Sequence, residues 1–219
     1  QKRIAAILDK ADSIRCKRQE TITLTNKLIR STFLNIFGDP TTNPKAWKQQ
    51  ELSQVATVFS GYAFKSSWFG DNGTPVIRIG DIQNGSLNIG NAARISPDHA
   101  PNHRHKIQTG DILMALSGAT TGKIGAVDDS ADGAWLNQRV AGIRAPTKYW
   151  SAYLECLLAD KKLLNSLLRS AAGSAQANLS PKDLRALKLP IPDKESLLLY
   201  ERLASTAARQ QRTRSIALE

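Results

Sequence analysis

Residues 2–37 contain neither glycine nor proline, and Gly38 and Pro40 then close the stretch. A glycine belongs just past a helix end, and a proline soon after it prevents continuation. The pattern predicts one helix over residues 2–37. At about 1.5 Å per residue it would run roughly 54 Å, more than a small domain needs to cover its core. Its apolar residues form a narrow stripe: Ile4, Ile7, Leu8, Ala11 and Ile14, then Ile22, Leu28, Ile29, Phe33, Ile36 and Phe37. A polar stretch from Arg15 to Glu20 separates the two halves. That spacing over that length predicts a coiled-coil arm, rather than a helix folded along its own domain.

The texture then changes. From Asp39 to about Ala145, Gly, Asn, Asp and Pro recur at short intervals around apolar runs at Val55–Phe59, Val76–Ile79, Ile112–Leu116, Ile124–Val127 and Val140–Ile143. Short runs with regular turn signals predict a mostly antiparallel β-module. Helical spacing returns over residues 150–171, with Gly173 as its stop. The strand-like LKLPIP follows, ended by Pro190 and Pro192. Asp193 is placed to cap a last helix carrying Leu197, Leu203 and Ala207. The expected plan is α+β: a helix over 1–38, a β-rich domain over 39–193 and a second helix over 194–219. A chain of 219 residues has room for one such domain with appendages.

The 30 Lys/Arg outweigh the 19 Asp/Glu and give a net charge of +11, which favours a polyanionic partner. Residues 1–48 hold ten Lys/Arg against four Asp/Glu, and residues 49–193 hold fifteen against twelve. The basic excess is therefore concentrated in the arm. No run approaches ~18 apolar residues, so no membrane span is expected. The start lacks the order of a signal peptide. Cys16 and Cys156 lie far apart without a CxxC pair, which predicts reduced, inert thiols in a cytoplasmic protein. No initiator Met precedes Gln1, so residues upstream are expected, and Leu218-Glu219 reads as a remnant of cloning.

Catalytic patterns are weak. Ser117–Gly125 (SGATTGKIG) approaches a phosphate loop but is one residue short, and Ile124 stands where a Mg²⁺-binding hydroxyl belongs. A nucleotide-binding or nuclease-like protein built on this loop, or a basic scaffold, is the alternative to the reading below. Backbone amides and Lys123 could also hold a DNA phosphate. His99, His103 and His105 cluster, but Arg104 and Lys106 would repel a metal ion, so a basic loop near DNA fits better. Neither a methyltransferase nor a nuclease signature is present, and no catalytic or metal-binding residue is expected.

Several segments, in order, resemble the specificity (S) subunits of type I restriction–modification systems. QKRIAAILDKADSIRCKRQ followed by FLNIFGDPTTNPKAW resembles their linking helix and the start of a target-recognition domain. FSGYAFKSSWF with GTPVIRIGDIQNG is similar to that domain's opening strands. SGATTGKIGAV and LNQRV match its middle, and GSAQANLSPKDLRALKLPIP its closing segment. The departure is length: the family usually carries two recognition domains and two spacer helices. This chain is then either a half-subunit that pairs with a second copy or a fragment.

The resemblance implies a non-catalytic subunit that reads one half of a bipartite site in double-stranded DNA. Its helices would dock methyltransferase (M) subunits, and a restriction/translocase (R) subunit could join. S-adenosylmethionine, Mg²⁺ and ATP would belong to those partners. Base readout needs Arg, Lys, Asn or Gln, and positioning needs donors to phosphates. The candidates for DNA contact on the β-module are Lys65, Arg78, Arg94, Arg104, Lys106, Lys123, Asn137, Gln138 and Arg139. Ser174, Gln176 and Asn178 add a further loop, and Tyr62 could stack on a base. The candidate partner-helix residues are Ile4, Leu8, Ile14, Ile22, Ile29, Leu197, Leu203 and Ala207.

Overall fold

The computed structural model describes residues 2–83, 85–171 and 178–216. Helix α1 spans Lys2–Phe37, as the uninterrupted stretch predicts. At Gly38 the backbone turns left-handed (φ +83°) and its N–H reaches the Leu34 carbonyl at 2.9 Å. A Cβ there would lie 2.6 Å from the Pro44 ring, so conformation and packing both require glycine. Asn43 then holds both backbone groups of Trp47, at 2.8 and 3.0 Å. The Trp47 indole in turn donates to the Phe37 carbonyl at 3.1 Å, satisfying one of the acceptors a helix end leaves open.

The module follows as β1 (Lys48–Glu51), α2 (Leu52–Val55), β2 (Thr57–Ser60), β3 (Phe69–Gly70), β4 (Thr74–Ile77), β5 (Ile82–Gln83), β6 (Ser86–Leu87) and β7 (Arg94–Ile95). It continues with β8 (Ile112–Ala115), β9 (Ile124–Ala126), β10 (Trp135–Leu136) and β11 (Val140–Arg144). Helices α3 (Lys148–Leu158), α4 (Lys161–Ala171) and α5 (Pro181–Arg185) come next, then β12 (Lys188–Ile191) and α6 (Lys194–Ile216). The expected run at Val55–Phe59 is split, because Val55 ends α2 and β2 starts two residues later.

The central sheet, in the order β2-β11-β8-β9, is antiparallel throughout. A second sheet, β10-β4-β7-β3, contains a parallel pair, β10 with β4. The ladder β1–β12 joins the two ends of the module. Successive side chains of a strand point to opposite faces, and the central sheet buries both. Ile112, Met114, Ala141 and Ile143 enter a core shared with the helices. Leu113, Ala115 and Val140 enter a second core with Ile77 and Ile107. A third, smaller cluster holds Phe64, Val76, Ile95 and Trp135.

Four rings join the helices to the module. Phe33 and Phe37 of α1 meet Tyr153 of α3 and Tyr200 of α6, with centroids 4.9–5.5 Å apart. All four residues are buried, and the Tyr153 hydroxyl donates to the Pro190 carbonyl at 2.6 Å. That bond satisfies a polar group that would be costly to bury alone. Two ion pairs brace the same junction: Arg30 with Asp160, and Lys162 with Asp39. Its hydrogen bond with Lys162 holds the Asp39 carboxyl well below the usual carboxylate range.

Three expectations are corrected. Residues 150–171 form two helices, because buried Asp160 turns its carboxylate onto the Leu163 N–H at 2.9 Å and opens α4 as a cap. Leu197 is 1 % exposed and belongs to the core. Ile29 is half-buried against the same core, so Leu197 is closed to a partner and Ile29 only partly open to one. The rest of the stripe is graded. Ile14, Ile22 and Ala207 are half-buried, whereas Ile4, Leu8 and Leu203 are 63 %, 60 % and 46 % exposed. Asp193 does cap α6, accepting the Ser196 N–H at 2.8 Å. Among the described residues, no helix is long and apolar enough to cross a membrane.

Replacing Phe33 by Ala removes one of the two rings that each touch the other three. The substitution is expected to destabilise the chain by about 3–5 kcal/mol, measured by urea unfolding, and to release α1 before the sheets melt, seen as early amide exchange in residues 22–37.

Candidate nucleic-acid interface

Three loops of the module converge. The first, between β2 and β3, carries Tyr62, Lys65 and Trp68. The second, between β7 and β8, carries His99 to Lys106. The third, between β10 and β11, carries Asn137, Gln138 and Arg139. The first and third are stitched by backbone: the Tyr62 N–H reaches the Leu136 carbonyl at 2.7 Å and the Gln138 N–H reaches the Tyr62 carbonyl at 2.9 Å. This approach needs Gly61, where a Cβ would lie 2.1 Å from the Asn137 carbonyl oxygen. The second loop joins through His105, which is buried: Nδ1 donates to the Ser60 carbonyl at 2.8 Å and Nε2 accepts from Arg104 Nε at 3.1 Å.

Aromatic rings and cations line the convergence. The Tyr62 ring meets Phe64, Trp68 and His105. Lys65 Nζ lies 5.3 Å from the Trp68 centroid, and Lys106 Nζ lies 4.9 Å from that of Trp135. His103 also faces Trp135, at 6.2 Å. Gln138 and Arg139 are exposed, and the Asn137 Oδ1 accepts the Arg139 N–H at 3.3 Å, which shapes the turn that presents them. Arg78 joins the edge of this group, because the Ile77 carbonyl accepts the Asn137 N–H at 3.0 Å. Its guanidinium lies over Phe69 and beside Asp81.

Not every candidate falls here. Arg94 donates to the Gly73 carbonyl at 2.9 Å and acts as a local clasp. Lys123 lines a groove of about 1320 Å³ between the module and the helices, facing Ile22, Asn26 and Ile29 of α1. Asn178 is exposed, and the next residue anchors its loop: the Leu179 N–H reaches the Leu116 carbonyl at 2.9 Å. Ser174 and Gln176 lie outside the described residues. Trp68 and Trp135 are not among the sequence candidates: Trp135 sits between Ala134 and Leu136 and reads as core, and Trp68 follows a polar stretch of its loop.

The Ser117–Gly125 loop is not a phosphate loop. It connects β8 to its antiparallel neighbour β9, whereas phosphate loops lead from a strand into a helix N-terminus. The Thr121, Gly122 and Lys123 amides bond the carbonyls of Gly118, Ala115 and Thr120, so they are not available to an anion. The three histidines are also dispersed in role: His99 stacks on Trp68, His103 faces Trp135 and His105 is held by Ser60 and Arg104.

Arg144 on β11 sets the height of the second loop. Its guanidinium grips Asp111 through two bonds of 2.7 and 2.8 Å, donates to the Lys106 carbonyl at 3.2 Å and lies 5.0 Å from the Phe59 centroid. Asp111 is 2 % exposed and strengthens Arg144's hold on its proton.

The model for the type I restriction modification DNA specificity domain matches residues 44–211. This chain belongs to that family. It is 26 % identical over 223 residues to the type I restriction enzyme MjaVIII specificity subunit of Methanocaldococcus jannaschii, covering 94 % of this chain and 52 % of that one. It is 23 % identical over 184 residues to the EcoKI specificity subunit of Escherichia coli K12, covering 78 % of this chain and 38 % of that one. The chain thus spans about half, or less, of the length of these relatives. Two solved S-subunit structures share its fold. That of the Thermoanaerobacter tengcongensis HsdS subunit has a TM-score of 0.55 at 18 % identity, over 99 % of this chain and 50 % of that one. That of the M. genitalium S subunit has a TM-score of 0.65 at 13 % identity, over 98 % and 55 %. The long terminal helices around one β-rich domain are the architecture these structures share with this S-subunit chain.

Replacing Asp111 by Ala leaves Arg144 without its partner. The expected loss is on the order of 2 kcal/mol, below that of a fully buried pair because Arg144 keeps some access to water. Thermal unfolding measures it, and the loosened 103–106 loop should exchange its amides faster.

Proposed function

We propose that this chain is the DNA-reading part of a type I restriction–modification complex and itself catalyses nothing. The module over residues 39–193 reads one half of a bipartite site in duplex DNA. The helices over 1–38 and 194–219 hold it in the complex. The observation that carries this reading is the convergence of Lys65, Arg104, Lys106, Gln138 and Arg139 on one loop cluster. Cations there neutralise phosphates, and Gln138 and Arg139 offer the donor geometry that base edges require. The chain works in the cytoplasm of a prokaryote, where the DNA is.

The partners follow from the exposed stripe. Ile4, Ile7 and Leu8 stand open on α1, and Leu24 and Leu28 continue the pattern. A helix with that much apolar surface is stable against another helix rather than against water. Methyltransferase subunits are its proposed partners, a restriction/translocase subunit can join, and a second copy of this chain supplies the other half-site. S-adenosylmethionine, Mg²⁺ and ATP are held by those subunits and not by this one.

Reconstitution with a methyltransferase subunit, followed by mapping of methylated adenines and cytosines across a genome, tests the whole reading. A split recognition sequence is expected, and Ile4→Asp with Leu8→Asp should abolish assembly in size-exclusion chromatography while the module's melting temperature is unchanged. Methylation at unrelated sequences would refute it.

Within the module, Arg104→Ala should weaken duplex binding about 5–30-fold and reduce the salt slope by about one. Lys123→Ala, facing the groove, should change neither; anisotropy titrations at several salt concentrations compare the two.

A further inference from the structure

Three rings on the loop cluster are stacked rather than merely near one another. Tyr62 and Trp68 are nearly parallel, at 9° with centroids 6.4 Å apart. His99 lies on Trp68 at 4.9 Å and 15°. The column has an anchored end and an open one. Tyr62 is fixed by the edges of Phe64 and His105, at 5.1 and 5.5 Å. His99 is exposed, and its imidazole makes no hydrogen bond among the described residues.

The turn carrying His99 is preset: Pro97 opens it, and the Ser96 hydroxyl accepts the Asp98 N–H. The open ring is thus held in place before any ligand arrives.

Structural packing alone gives little reason for this arrangement. An exposed imidazole stacked on a half-buried indole buries little surface of its own, and Lys65 adds a charge over the same indole. Flat aromatic faces beside cations suit a nucleotide, since its base offers a π-face and its backbone carries a phosphate. In a paired duplex those faces are covered by neighbouring bases and only the edges are open. A π-face reaches a protein ring only when a base leaves the stack.

We propose that the His99–Trp68–Tyr62 column is a stacking platform for one nucleobase displaced from the duplex, with Lys65 and Arg104 holding the phosphates on either side. This inference rests on the reading that the module binds DNA. It adds that the module binds DNA in a locally opened form.

The test uses the full chain and random-sequence duplexes, either fully paired or carrying one unpaired 2-aminopurine. A base that stacks on an aromatic face adds affinity, so the unpaired duplex should bind roughly tenfold tighter, and 2-aminopurine emission should fall on binding. His99→Ala should bring the affinity ratio toward one and restore emission. His99→Phe, which keeps a ring but no N–H, should retain both effects. Equal affinity for the two duplexes without quenching would overturn the platform. So would quenching that survives both His99→Ala and Trp68→Ala, and so would a His99→Phe variant as weak as His99→Ala, which assigns a hydrogen bond instead of stacking. A wild-type chain that binds neither duplex would overturn the DNA-reading function itself, and paired-duplex binding without preference for the unpaired one overturns only the platform.

Discussion

Phe33, Phe37, Tyr153 and Tyr200 come from three helices that are far apart in sequence, and their packing decides where the arm leaves the module. Each buried ring removes a large apolar area from water, and their tilted contacts add a smaller geometric preference. Much of the chain is built to hold that junction. Gly38 ends α1 where Phe37 must turn inward, and Trp47 closes its last carbonyl. Asp160 breaks the following helix at the point where it can also meet Arg30. The Tyr153 hydroxyl reaches β12, so the ladder that closes the module is tied to the same rings.

The loop cluster is supported differently. Backbone bonds between Tyr62 and residues 136–138, the His105 link to Ser60 and the Arg144–Asp111 clamp hold it from beneath. The side chains that face outward are then free to meet a ligand with little reorganisation, which limits the entropy lost on binding. The net charge of the chain does not reveal this surface, because the module's fifteen basic residues are nearly matched by twelve acidic ones. Position matters more than sum: Asp111 and Asp81 are buried in pairs with arginines, which leaves Lys65, Gln138 and Arg139 exposed on the loops.

Much of the fold could be read from the sequence where the signal is local. The end of α1 at Gly38, the strands around Ile112–Ala115 and Val140–Arg144 and the cap at Asp193 each depend on a few neighbouring residues. The cap that Asp160 gives Leu163 is local, but the aspartate lies inside a helical pattern and looks like a surface position until its burial beside Arg30 is seen. Leu197 failed for a related reason: periodicity shows which face of a helix is apolar, not what covers it. The strand β10 is only two residues long and pairs in parallel with β4, so no alternation could announce it. Lys65, Arg104, Lys106, Gln138 and Arg139 were readable as residue types on loops. That Trp68 and His99 stack on one another depends on a contact across 31 positions of the chain that the sequence does not resolve.

The central sheet has a consequence for how such a chain can change over generations. Alternate residues of β8 and β11 serve two cores that have no residue in common, and the loop cluster rests on the second core and on the small cluster around Trp135. Substitutions in the loops are therefore insulated by one layer of backbone from the rings that fix the arm. The outward surface can drift, or be exchanged wholesale, while the position of the arm is inherited intact.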